Sequence, residues 1–167
     1  GHKFGGPTGT GALLVRRGVR VPPLMVGGDQ ERARRAGMEH TLGVLGFAAA
    51  AVDTAQTMAD EQLRTRALTD RIRAWAAALP SDSGIAVVGA AANASLPHIV
   101  CMTFSDVEPQ PVLMGLDRAG VAVHSGSACS SESLEPSPVL DAMGVDAQRS
   151  LRVSVGWSST DDDVTRL

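Results

Sequence analysis

From Thr41 onward the apolar and polar positions fall into distinct rhythms, and each rhythm predicts an element. Between Glu39 and Leu79 alanine and long side chains dominate and no proline intervenes until Pro80, so the whole stretch predicts helix. We divide it in two. About Thr41 to Met58 is apolar nearly all round (Leu42, Val44, Leu45 and Phe47, then alanines), as in a helix buried on several sides. About Asp60 to Leu79 spaces Leu63, Leu68, Ile72, Trp75 and Leu79 near the helical period with arginines between them, which predicts an amphipathic surface helix. Pro80-Ser81-Asp82-Ser83-Gly84 ends it. Ile85–Val88 and Ile99–Phe104 then predict strands, Gln110 to Ala119 a helix, and Val121–Val123 a third strand. A helix over about Pro136 to Met143 has proline at its start and Gly144 as its stop. Leu151–Val155 alternates as a last strand, and Asp161-Asp162-Asp163 suits the acidic first turn of a further helix.

Upstream, residues 5–11 form a glycine-rich turn. Ala12–Val15 is a short apolar run bounded by Gly11 and Arg16-Arg17-Gly18, which predicts a buried strand. A lone strand needs neighbours, so its partners are expected from residues upstream of Gly1 or from another chain. The absence of an initial methionine points the same way. The order of elements predicts an α+β domain over 39–167, with 1–38 as the end of something larger.

Composition narrows the function. Of 167 residues 44% are hydrophobic and 20% charged, as in an ordinary folded chain. A net charge of −3 and a pI near 5.8 argue against nucleic-acid binding, and the basic cluster Arg16, Arg17, Arg20, Arg32, Arg34 and Arg35 reads as a solvated or subunit-facing surface. The longest unbroken apolar stretch, Phe47 to Val52, is short for a bilayer, and no export pattern opens the chain; the expectation is a cytoplasmic protein without a membrane partner. Two cysteines without CxxC or paired-histidine spacing predict neither a disulfide scaffold nor a metal site.

Two stretches carry candidate chemistry. Cys129 sits in Ser125-Gly126-Ser127-Ala128-Cys129-Ser130-Ser131, a run of small polar residues that reads as a reactive thiol on a mobile loop. Lys3 follows Gly1-His2 and precedes a loop rich in glycine, so an amine and a thiol serve one reaction. Cys101, between Val100 and Met102, reads as a small buried hydrophobe. His124 is open to two readings, an acid–base group near Cys129 or a structural residue at a strand end. His40 and His98 receive no role.

These motifs, in order, carry a resemblance. Gly1-His2-Lys3-Phe4-Gly5-Gly6-Pro7 with Gly9 and Gly11, Gly27-Gly28-Asp29-Gln30-Glu31-Arg32, Ser125-Gly126-Ser127-Ala128-Cys129 with Leu134-Glu135-Pro136-Ser137, and Leu151-Arg152-Val153-Ser154-Val155-Gly156 resemble the cysteine desulfurases of the NifS/IscS class, within the class V aminotransferase family. The likeness covers the whole chain but only the C-terminal part of the family's length. It implies an α/β fold of the type I pyridoxal-phosphate transferase kind, with residues 1–38 ending the large domain and 39–167 forming the small one.

It also implies roles. Lys3 holds pyridoxal 5′-phosphate and acts as the base at the substrate's α-carbon, His2 hydrogen-bonds the cofactor phosphate, Arg152 clamps the substrate carboxylate, and Cys129 takes the sulfur of L-cysteine as a persulfide. The implied partners are a second copy of the chain, as a homodimer, and a sulfur-acceptor protein such as an iron–sulfur scaffold. Met38 stands where the family usually has a threonine that reaches the neighbour's phosphate group. The family's phosphate-binding Gly-Gly-Thr segment, ring-stacking histidine and pyridine-binding aspartate would lie upstream of Gly1, so the chain by itself is expected to be inactive. The rivals are a selenocysteine lyase or other lyase of the same family, and a non-catalytic fragment or sulfur-carrier subunit.

Overall fold

The computed structural model describes residues 1–89, 95–125 and 137–167. The chain divides into two compact units, Gly1–Met58 and Ala59–Leu167. In the first, a short turn of 3-10 helix at His2–Phe4 is closed by Gly5, whose φ of 89° suits glycine. The Gly1 backbone nitrogen donates to the Thr10 carbonyl at 2.7 Å, which folds the glycine-rich turn back on itself. Phe4 and Phe47 meet edge to face at 5.2 Å, and the Thr54 hydroxyl donates to the Phe4 carbonyl. Gly46 makes this approach possible, because a Cβ there would lie 2.7 Å from Pro7 Cγ. A single turn at Gln30–Ala33 (α1) is left-handed, with φ of 50°, 60° and 58° at Glu31, Arg32 and Ala33.

Residues 12–15 form no strand. Leu13 and Leu14 are 79% and 96% exposed, as expected of an apolar segment with no sheet partner among the described residues. The predicted pair of helices is one continuous helix, α2, Thr41–Ala78. Met58-Ala59-Asp60 contains no glycine or proline, so the change in pattern there marks a change of surroundings and not a break. Burial on several sides is also corrected, since Leu42, Val44, Leu45 and Val52 are all more than half exposed. By length and composition α2 is apolar enough to cross a membrane, with a mean hydropathy of 1.2 over its best window, a measure that core helices also meet.

The second unit is built on a four-stranded antiparallel sheet of β1 (Ile85–Val88), β2 (Ile99–Phe104), β3 (His124–Ser125) and β4 (Ser150–Ser154), in the order β1-β2-β4-β3. The third strand therefore lies just beyond the predicted Val121–Val123. Helix α3 (Pro109–Arg118) starts on proline, α4 (Pro138–Ala142) is capped by the Ser137 hydroxyl, and α5 (Asp161–Arg166) opens on a Thr160–Asp163 capping box. Pro136, the predicted start of α4, lies outside the described residues.

Alternation along β2 and β4 fixes the core. Val100 and Met102 from β2, with Leu151 and Val153 from β4, pack against Ile72 and Ala76 of α2. The buried stripe of α2 runs Thr65, Leu68, Thr69, Ile72, Ala76. Two threonines lie on it because their hydroxyls donate to carbonyls, Thr65 to Glu61 at 2.7 Å and Thr69 to Pro97 at 2.8 Å. Leu63 was expected on this stripe; nine residues from Ile72, it lies about 180° round the helix and is 73% exposed. Trp75, also assigned to the stripe, is half exposed at its margin. Ile72→Ala should lower unfolding free energy by about 2–5 kcal/mol and Leu63→Ala by under about 0.5 kcal/mol. Denaturant titration checks this, and equal losses would contradict the packing described.

Candidate active site

The strands that bury Val153 and Leu151 turn Arg152 to the opposite face of the sheet. In the antiparallel register Cys101 of β2 pairs with Arg152 of β4, and Arg152 pairs in turn with His124 of β3. Paired residues project to the same side, so a thiol, a guanidinium and an imidazole stand in one row across three strands. Val88 of β1 completes the row beside Cys101.

Arg152 occupies this row without a counter-ion among the described residues. Its Nε is buried and has no hydrogen-bond partner among the described residues. The planar fork of a guanidinium matches the geometry of a carboxylate. On one side of it, burial pushes the Cys101 thiol up, while the positive charge of Arg152 pulls it down by less. On the other side, His124 Nδ1 lies 2.8 Å from the Ser125 carbonyl oxygen. Sequence reasoning treated Cys101 as plain core. The signal that places it beside Arg152 is its parity, one position off the buried Val100 and Met102.

In the first unit His2 and Lys3 stand together on the short turn, both exposed. Among the described residues nothing hydrogen-bonds or ion-pairs with the Lys3 amine. A free primary amine beside an imidazole fits an aldehyde cofactor bearing a phosphate, with Lys3 on the aldehyde carbon and His2 as a donor to phosphate oxygen. Met38 is 90% exposed in the same unit. Cys129 and Leu134-Glu135-Pro136 lie outside the described residues. The structure thus brings together His2 with Lys3, and Arg152 with His124 and Cys101. Among the described residues no cluster of three or more metal-ligating side chains occurs.

The mixed helix and sheet architecture is of the α/β class found in NifS-like enzymes. The chain belongs to the class V aminotransferase family, whose model matches residues 1–167. It is 43% identical over its whole length to a cysteine desulfurase of Gluconacetobacter diazotrophicus and 37% identical to cysteine desulfurase NifS of Azotobacter vinelandii, covering 42% of each. An IscS-like cysteine desulfurase of Mycobacterium tuberculosis is 41% identical over 98% of the chain, which again spans 42% of that protein. Among solved structures a NifS-like protein superposes with a TM-score of 0.78 at 28% identity, over 98% of this chain and 41% of that one. The chain therefore spans well under half the length of the relatives it matches.

If Cys101 and Arg152 face one another as the register requires, Arg152→Gln should push the Cys101 thiol further up. Its alkylation by iodoacetamide at neutral pH, followed by peptide mass spectrometry, should slow by roughly threefold to tenfold. An unchanged rate would place the two side chains apart.

Proposed function

We propose that this chain is part of a pyridoxal-phosphate-dependent cysteine desulfurase that converts L-cysteine to L-alanine and leaves a persulfide on Cys129. The observation that carries the reading is Arg152, a cation with a buried Nε and no partner among the described residues, on the sheet face turned away from the core. An amino-acid substrate supplies what that cation lacks. Residues 1–38 belong on this reading to the large cofactor-binding domain and 39–167 to the small domain.

Arg152 takes the substrate carboxylate and fixes which way the amino acid faces. The Lys3 amine would hold the cofactor at its aldehyde carbon and, when free, would be placed to accept the α-proton. His2 donates to a phosphate oxygen and anchors the far end. Pyridoxal phosphate, when bound, draws electrons from the substrate's α-carbon. Cys129 attacks the substrate sulfur as a thiolate: its S–S bond forms, the substrate C–S bond breaks, and the electron pair stays with carbon, which is protonated to alanine. The persulfide then passes to an acceptor protein, such as an iron–sulfur scaffold. The relatives' names support this activity, the reading implies a cytoplasmic setting and a homodimer, and the net charge of −3 disfavours a nucleic-acid partner.

The test is an alanine and sulfide assay on the full-length, cofactor-loaded enzyme that contains this chain. Cys129→Ala should abolish persulfide formation while leaving the visible cofactor band, and Lys3→Ala should lose that band. Arg152→Lys should raise KM for cysteine by roughly 10-fold to 100-fold, the loss of a charge-assisted bidentate contact. Persulfide made by the Cys129→Ala enzyme would refute the assignment.

A further inference from the structure

His124 lies in the Arg152 row, and its ring is fixed by a contact that sets its chemistry. A carbonyl oxygen accepts and never donates, so the 2.8 Å contact to Ser125 requires the proton on Nδ1. In the neutral ring Nε2 then carries a lone pair. This lone pair belongs to a side chain on the same sheet face as Arg152, one strand away, a spacing of about 4.8 Å. The ring is half-buried, so a hydrogen bond made to it is only partly shared with water. Among the described residues no carboxylate pairs with Arg152: the ion pairs of this unit, at Arg64, Arg71, Arg73 and Arg149, all lie elsewhere.

An anion receptor and a hydrogen-bond acceptor side by side recognise a ligand with a carboxylate and a short donor-bearing side chain. We propose that His124 is a specificity-determining residue, whose Nε2 accepts a hydrogen bond from the thiol of the amino acid held by Arg152. The inference rests on the proposed desulfurase reading. Under that reading the substrate's amino nitrogen is committed to the cofactor aldehyde, and the thiol is the donor that remains. The pairing also predicts which ligands the row ignores. Alanine offers the carboxylate to Arg152 and nothing to His124, so the two residues separate the substrate from its own product.

The experiment compares L-cysteine with L-alanine on the full-length, cofactor-loaded enzyme. KM and kcat are measured for cysteine, and Ki for alanine as competitive inhibitor, in His124→Ala, His124→Gln and Arg152→Lys variants. His124→Ala should raise KM for cysteine by roughly threefold to tenfold, the worth of one hydrogen bond, and leave Ki for alanine unchanged. His124→Gln, whose side-chain carbonyl is also an acceptor, should recover much of the loss. Arg152→Lys should weaken both ligands. If His124→Ala alters neither ligand, or both equally, while Arg152→Lys weakens both, the role given to His124 is wrong and the carboxylate site stands. If Arg152→Lys alters neither, the desulfurase reading of the site fails and the inference with it.

Discussion

The pairing of β2 with β4 under α2 is the constraint on which the second unit depends. Val100, Met102, Leu151 and Val153 point to one side because Ile72 and Ala76 cover them there. Full burial of each large apolar side chain contributes about 1.5–3 kcal/mol. A slip of one residue in this register would reverse the faces, burying Arg152 under α2 and exposing Leu151 and Val153. A guanidinium without a partner in that interior would cost several kcal/mol more. The position of Arg152 is therefore set by its hydrophobic neighbours and not by any contact of its own.

The other arginines show what structural use of this side chain looks like. Arg64 pairs with Glu61 and donates to the Ser159 and Gly156 carbonyls at 2.7 and 2.6 Å, tying the C-terminal segment to α2. Arg66 and Arg73 both reach Ser95, and Arg73 also donates to the Ile99 carbonyl. Arg71 pairs with Asp161 and reaches Thr165. Each is spent on another part of the fold. Arg73 also leaves its Nε buried without a hydrogen bond, but its Nη2 is bonded, whereas Arg152 makes no hydrogen bond or ion pair through any nitrogen among the described residues; leaving a buried donor unpaired costs about 1–3 kcal/mol. The lack of any protein partner among the described residues sets Arg152 apart from Arg64 and accords with the carboxylate role proposed for it.

Much of the second unit was legible in the sequence because its signals are local. Ile85–Val88 and Ile99–Phe104 were predicted as they stand, and Asp161 opens a helix through a capping box that the acidic run announced. The errors arose where tertiary context overrides pattern. Leu63 and Trp75 satisfied an apolar count along α2, yet Thr65 and Thr69 fill the buried stripe because each hydroxyl finds a carbonyl, a pairing that composition does not show. Ala12–Val15 has a strand's composition and no sheet partner among the described residues. For the site, motif order named Arg152 and Lys3, but the row formed with Cys101 and His124 depends on register between strands that are distant in sequence. Lys3 itself carried no local pattern, since an exposed amine on a glycine-rich turn is otherwise ordinary.

The same register bears on the thiol chemistry, although Cys129 lies outside the described residues. Ser125, immediately before residues 126–136, is fixed opposite Leu151, and Ser137, immediately after them, is buried and caps α4. Both ends of the segment carrying Cys129 are thus held by the unit that holds Arg152. A sulfur-transfer reaction asks two things of its nucleophile, to meet a substrate oriented by a fixed carboxylate anchor and to offer the acquired sulfur elsewhere. On the proposed reading, specificity then resides in the sheet, at Arg152 and its neighbours, whose places are set by the same strand register that fixes Ser125.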